Sequence, residues 1–326
     1  MKVLKFLIIG LILIGIAAGV AGVVLVKQML QPVNSGSTEV VRFVVPKGQS
    51  ISRIGERLAE EGLIKHPLVF RGVVRQLGAE NQIQAGSFEL TAAMTPAELI
   101  EAMTQGTDDT WVTLLEGWRR EEMAESLAEL ELPNYDEAEF LELTAGKEGY
   151  LFPDTYLVQR SIATEDIVNL LLATFDKKVE TDLAAQIAAS GKPLDEIVTI
   201  ASLIQREAKG DQQMRLVSGV LWNRIDIGMA LNVDATLQYL KGYSQSQQSW
   251  WVPPLAVDKE IESPYNTYKY AGLPPAPIAN PGLDAIKAAL NPTDTTYLYY
   301  LHDNQGGIHF GETLQQHNAN VQRYLR

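Results

Sequence analysis

The chain has 326 residues, with 27 Lys and Arg against 40 Asp and Glu, for a formal net charge of −13. Its 46% hydrophobic and 21% charged content is ordinary for a folded protein and excludes wholesale disorder, collagen and low-complexity chains. No cysteine is present, which excludes disulfide scaffolds, thiolate metal sites and cysteine nucleophiles, and the acidic balance argues against nucleic acid as a partner.

Lys2 and Lys5 precede an uncharged run from Phe6 to Val26, which ends at Lys27. As a helix the run would be about 31 Å long at ~1.5 Å per residue, close to the thickness of a bilayer core. The two N-terminal lysines favour a cytoplasmic N-terminus, with the downstream chain outside the cytoplasm. A cleaved signal peptide is the alternative, and Ala17-Ala18-Gly19-Val20-Ala21 offers small residues for cleavage. The length of the run favours the uncleaved anchor. Residues 1–27 therefore read as a cytoplasmic tip with a transmembrane anchor, and 28–39 as a polar tether. Without residues 1–26 the chain carries −15.

A strand is predicted at Val40–Val45, then a turn through Pro46-Lys47-Gly48-Gln49 to a cap at Ser50. Ile51, Ile54, Leu58 and Leu63 stripe the next helix. A second helix near Pro67–Leu77, a strand near Gly86–Leu90 and a helix capped by Thr95 and reaching about Met103 complete a small α/β module over 40–105. At an offset of 69 residues, Val45, Gly48, Ile54, Leu58 and Leu63 map onto Leu114, Gly117, Met123, Leu127 and Leu132. A duplicated βα module and two coincidentally similar units explain this equally well. The next boundary falls between 106 and 150, with a second domain over 106–326. Helices are expected at Glu137–Ala145 and Thr164–Ala189. The last third, rich in Pro, Asn, Gly and Tyr, reads as loops and short strands. The fold class is α+β.

The helix that carries chemistry runs from Pro193, suited to a first turn, to Gly210, suited to a C-terminal stop. Ile197, Ile200, Ala201, Leu203 and Ile204 form one apolar face. Glu207 follows Ile200 by seven residues, Leu203 by four and Ile204 by three, so it lies on that stripe and points inward. It also occupies the last turn, where the helix dipole disfavours a negative charge. Burial and dipole would both raise its pKa, as a general acid requires. The alternative is an ordinary Glu paired with Arg206 or Lys209.

Two further clusters stand out. In 148–156, aromatics interleave with carboxylates (Glu148, Tyr150, Phe152, Asp154, Tyr156), which suits a carbohydrate face or a turn with core aromatics. In 263–282, Tyr and Asn lie among rigid turn formers, the mark of an ordered loop that could line a cleft. His66, His302, His309 and His317 lack metal-ligand spacing, and neither a phosphate loop nor a nucleophile elbow occurs.

Glu148-Gly149-Tyr150-Leu151-Phe152-Pro153-Asp154-Thr155-Tyr156, Ala201-Ser202-Leu203-Ile204-Gln205-Arg206-Glu207, Asn223-Arg224 with Gly228-Met229, and Asp234 with Thr236 and Tyr239 follow in order. So do the runs at 263–268, 272–278, 280–282 and 297–300, and His309-Phe310. Together these resemble the MltG/YceG family of endolytic murein transglycosylases, over nearly the whole chain. Members often carry Glu where this chain has Gln205, and Gly where it has Ala276.

The resemblance implies a LysM-like module over 40–105 and a YceG-like catalytic domain over 106–326. It implies a bacterial enzyme anchored in the cytoplasmic membrane by a single pass, with its catalytic domain outside. Its substrate would be nascent peptidoglycan, cut between N-acetylmuramic acid and N-acetylglucosamine to leave 1,6-anhydro ends, with termination of strand elongation as a candidate consequence. Glu207 would be the catalytic residue. Asp234, Asn266, Tyr268, Glu148 and Tyr150 are the candidate substrate-binding residues. Neither metal nor cofactor is expected, and peptidoglycan synthases are candidate partners. Two alternatives remain: a muramidase that hydrolyses the same bond, and a non-catalytic glycan-binding scaffold.

Overall fold

The computed structural model describes residues 19–20, 22–106 and 109–325. The expected membrane span, Phe6 to Val26, lies mostly outside them. Among the described residues the backbone at 22–29 is helical, and no helix is long and apolar enough to cross a membrane. The chain forms two compact units. The first ends at Trp111 and also takes Leu157–Arg160, and the second comprises Val112–Tyr156 and Ser161–Arg326. The class is mixed α+β, as the sequence predicts.

In the first unit the order is β1 (Val40–Val45), α1 (Ile51–Glu60), α2 (Pro67–Leu77), β2 (Gly86–Thr91) and α3 (Pro96–Thr104). β1 and β2 pair antiparallel, with Phe43 opposite Phe88. Alternation turns Phe43, Val45, Phe88 and Leu90 to one face, where Ile54, Leu58, Phe70, Leu99 and Met103 bury them. The predicted caps are present. The Ser50 hydroxyl accepts from the Arg53 N–H, and Thr95 and Glu98 form a capping box.

The chain passes from the first unit into the second within β3 (Asp109–Thr113), which pairs with β4 (Thr155–Gln159). Between them lie α4 (Arg120–Ala128) and α5 (Glu137–Leu143). Then come α6 (Thr164–Phe175), a π-helical segment (Asp176–Thr181), α7 (Ala184–Ser190), α8 (Leu194–Glu207) and α9 (Asp211–Asp226). The chain ends with α10 (Asp234–Lys241), a 3-10 turn (Ala256–Glu260), α11 (Leu283–Leu290), β5 (Tyr299–His302), β6 (Ile308–Gly311) and α12 (Leu314–Tyr324). α8 is the axis of this unit. Every residue from Ile197 to Ile204 is buried, and the helix packs on α9 and α11. A helix apolar nearly all round belongs in a core.

Three expectations are corrected. The helix predicted over Thr164–Ala189 is broken into α6, the π segment and α7. The wider turn buries Val179 completely and brings the Lys178 ammonium to Asp154 at 2.5 Å. Gly210 does not stop α8. That helix ends at Glu207, Ala208 is extended and buried, and Gly210 instead precedes α9 as its N-cap. The last third contains α10, α11 and α12 as well as loops and short strands. Of the repeat, both copies place strand, left-handed glycine and helix in order, with Gly48 at φ +80° and Gly117 at φ +78°.

Candidate active site

α8 delivers Glu207 to the wall of a cavity of about 540 Å³. Asp234, Arg224, Lys259, Tyr268, Tyr299 and Tyr300 line the same cavity, with His302 and His317. Glu207 is half-buried, and the Tyr300 hydroxyl donates to its Oε2 at 2.9 Å. Loss of hydration is the largest influence on the carboxyl and pushes its pKa up to about 7. The Tyr300 hydrogen bond works against this, Asp234 adds to it, and Arg206 opposes it weakly.

The ion-pair alternative for Glu207 is not what forms. The Arg206 guanidinium turns away, donating to the Gly117 carbonyl and stacking 3.8 Å from the Trp251 ring. The neighbouring Gln205 accepts from the Gly282 N–H and donates to Glu116. An amide serves both roles, whereas a glutamate here would lack the donor.

Asp234 opens α10, a helix start that favours an acid. Its Oδ1 accepts from the Tyr268 hydroxyl at 2.5 Å. Thr267 sets the approach: its carbonyl accepts from Asn232, which has φ +52°, and its hydroxyl accepts from Val233. Burial and the nearby Asp234 push the Tyr268 hydroxyl pKa up, and burial beside Glu207 does the same to Tyr300.

Of the candidates read from sequence, Glu207, Asp234 and Tyr268 come together in one cavity. Asn266, Glu148 and Tyr150 do not line it. Asn266 is fully buried, its amide donating to the Lys259 and Ile261 carbonyls while its Oδ1 accepts from the Tyr268 N–H. It therefore shapes the loop that presents Tyr268. Glu148 accepts from the Arg120 N–H and from the Asn280 amide at 2.7 Å. Burial pushes its carboxyl up to about 8. Tyr150 packs on Phe175, with ring centroids 5.0 Å apart. The 148–156 stretch is thus a turn with core aromatics. Gly149 has φ +90°, and a Cβ there would come within 2.5 Å of Pro277.

Sequence reasoning gave no role to Tyr300 or Arg224. Both lie in motifs noted above, but their proximity to Glu207 arises from pairings distant in sequence. Asn223 and Arg224 bind the carbonyls of Thr295, Tyr297 and Leu298, which aligns β5 and hence Tyr300. Among the described residues no group of three or more His, Asp or Glu has the geometry of a metal site.

This site lies within a stretch, residues 43–323, that matches a family model described as the YceG-like family. The chain belongs to the YceG-like family. A relative from Bacillus subtilis, named endolytic murein transglycosylase, is 30% identical over 92% of this chain and 89% of its own length. A relative of the same name from Streptococcus pneumoniae serotype 2 is 27% identical over 95% of this chain. The chain spans 63% of the length of that longer pneumococcal protein. The crystal structure of a yceG-like protein from Listeria monocytogenes superposes with a TM-score of 0.57 at 26% identity, covering 87% of this chain and 99% of that one. This YceG-like chain thus shares its fold with a solved protein along most of its length.

Proposed function

We propose that the protein is an endolytic peptidoglycan lytic transglycosylase that cuts glycan strands between N-acetylmuramic acid and N-acetylglucosamine, with Glu207 as its acid and base. The observation that carries this reading is a half-buried carboxyl whose pKa is raised to about 7 by loss of hydration, on the wall of a cavity lined by tyrosines and charged side chains. The names of the B. subtilis and S. pneumoniae relatives supply the substrate class.

In the proposed reaction Glu207 gives its proton to the glycosidic oxygen as the muramyl C1–O bond breaks. The C6 hydroxyl of the same sugar then closes onto C1 and returns its proton to Glu207. One new C–O bond replaces one broken, no water is consumed, and the product ends in a 1,6-anhydro ring. A tethered nucleophile makes this step favourable without a second carboxylate. Tyr300 orients the Glu207 carboxyl, and Tyr268 with Asp234 faces the sugar. In the same proposal, residues 1–27 anchor the chain in the cell membrane with the catalytic unit outside, and 40–105 form a LysM-like glycan-binding module. The strand–helix–helix–strand order of that module supports this. Synthases of the wall are the proposed partners.

Glu207→Gln should lower strand cleavage by at least about 100-fold while the protein stays folded. Retained cleavage in that variant removes Glu207 from the mechanism. Asp234 in the same cavity favours a second reading, hydrolysis by a carboxylate pair. Mass spectrometry of the products separates the two, because an anhydro end is one water lighter than a reducing end.

A further inference from the structure

Arg224, in the last turn of α9, is 6% exposed. Its Nε donates to the Leu298 carbonyl at 2.6 Å, and its Nη1 donates to the carbonyls of Ala230 at 3.2 Å and Leu231 at 2.6 Å. All three partners are neutral. Among the described residues no carboxylate pairs with this guanidinium, and Nη2 has no hydrogen-bond partner. The side chain lines the cavity that holds Glu207. A buried cation without a counter-charge is costly, and the two N–H groups of Nη2 can donate to a carboxylate. Lys259 lines the same cavity, its ammonium 4.3 Å from the Tyr268 ring centroid, and adds positive charge. Asp234 repels an anion elsewhere in the cavity.

We infer that Arg224 Nη2 receives a carboxylate of the glycan strand. Its source is either the free lactyl acid of a muramic residue without a stem or the terminal carboxylate of a peptide stem. This rests on the glycan-cleaving reading and adds the group by which the strand is recognised. Arg224 is then a specificity-determining residue.

The test uses the full chain carrying Glu207→Gln, in detergent, titrated by calorimetry with tetrasaccharides. The ligands are stem-free strands as lactyl acids or lactyl methyl esters, stem-bearing strands with free or amidated ends, and chitotetraose. A carboxylate should bind about tenfold tighter than its neutralised counterpart. Preference within the first pair assigns the lactyl acid, and preference within the second assigns the stem. Adding Arg224→Lys, with folding checked by melting and near-UV dichroism, should shrink the preference below about twofold. Guanidinium nuclear resonance on the Arg224 protein supplies a readout that needs no folded Arg224 variant: the preferred carboxylate should shift and sharpen the Nη signals. Equal binding within both pairs, a preference that survives Arg224→Lys, or unmoved Nη signals overturns the inference and leaves the glycan reading standing. Failure to bind any of the glycans overturns both.

Discussion

Glu207 and its two nearest influences predict opposite responses. kcat/KM should fall above pH 7, because the acid form is lost there. Tyr300 stabilises the carboxylate through its hydrogen bond, so Tyr300→Phe should move that limb to higher pH. Asp234 disfavours the carboxylate, so Asp234→Asn should move it to lower pH. A pH–rate series on the three proteins checks both signs, and limbs moving together would contradict the geometry. Glu148 predicts a stability effect instead. Its folded pKa is about 8 against 4.5 for an ordinary glutamate, so the folded state holds a proton that the unfolded chain releases as pH rises between those values. Its contribution is greatest below about pH 4.5 and is lost towards pH 8. Glu148→Gln should therefore lose less melting temperature between pH 5 and 8 than the parent, measured by thermal denaturation.

At the level of elements, Asn280 ties the turn at 148–151 to the loop at Trp118. Its Oδ1 accepts from Gly149 and Leu151, and its amide donates to Trp118 and Glu148. Asn280→Ala should cost about 2–4 kcal/mol in urea denaturation, at ~1 kcal/mol for each buried bond lost. Such bonds also mark where the sequence was legible. The caps of α1 and α3, the span of β1 and the inward stripe of α8 depend on neighbours within a few residues, so residue pattern reveals them. The inward roles of Glu148 and Asn266 depend on partners far away or on loop closure, so composition left Glu148 open between a sugar face and a turn with core aromatics, and the family resemblance made both candidates for binding substrate. Tyr300 went unread because it meets Glu207 only through Arg224 and the pairing of β5 with β6. The break after Phe175 was hidden for another reason: a π segment keeps helical composition while changing the phase of its faces.

Across the whole molecule, two cores are built from separate residues. Phe43→Ala should destabilise the first by about 3–5 kcal/mol. Trp118, Trp222, Trp250 and Trp251 all belong to the second unit. Trp111 belongs to the first unit, so with Trp111 replaced by Phe their fluorescence should keep the parent's urea midpoint while far-UV dichroism gains an earlier transition, and a joint shift would mean that the two cores unfold as one. The turn between α8 and α9 constrains evolution as well as chemistry. Only Ala208, Lys209 and Gly210 separate Glu207 from Asp211, and Arg224 is carried on the following helix. Gaining or losing a single position there would swing one helix about its axis by roughly 100°, parting the acid from the guanidinium. Aligned descendants of the common ancestor should drift freely in length at surface loops and stay strictly gapless across these three positions.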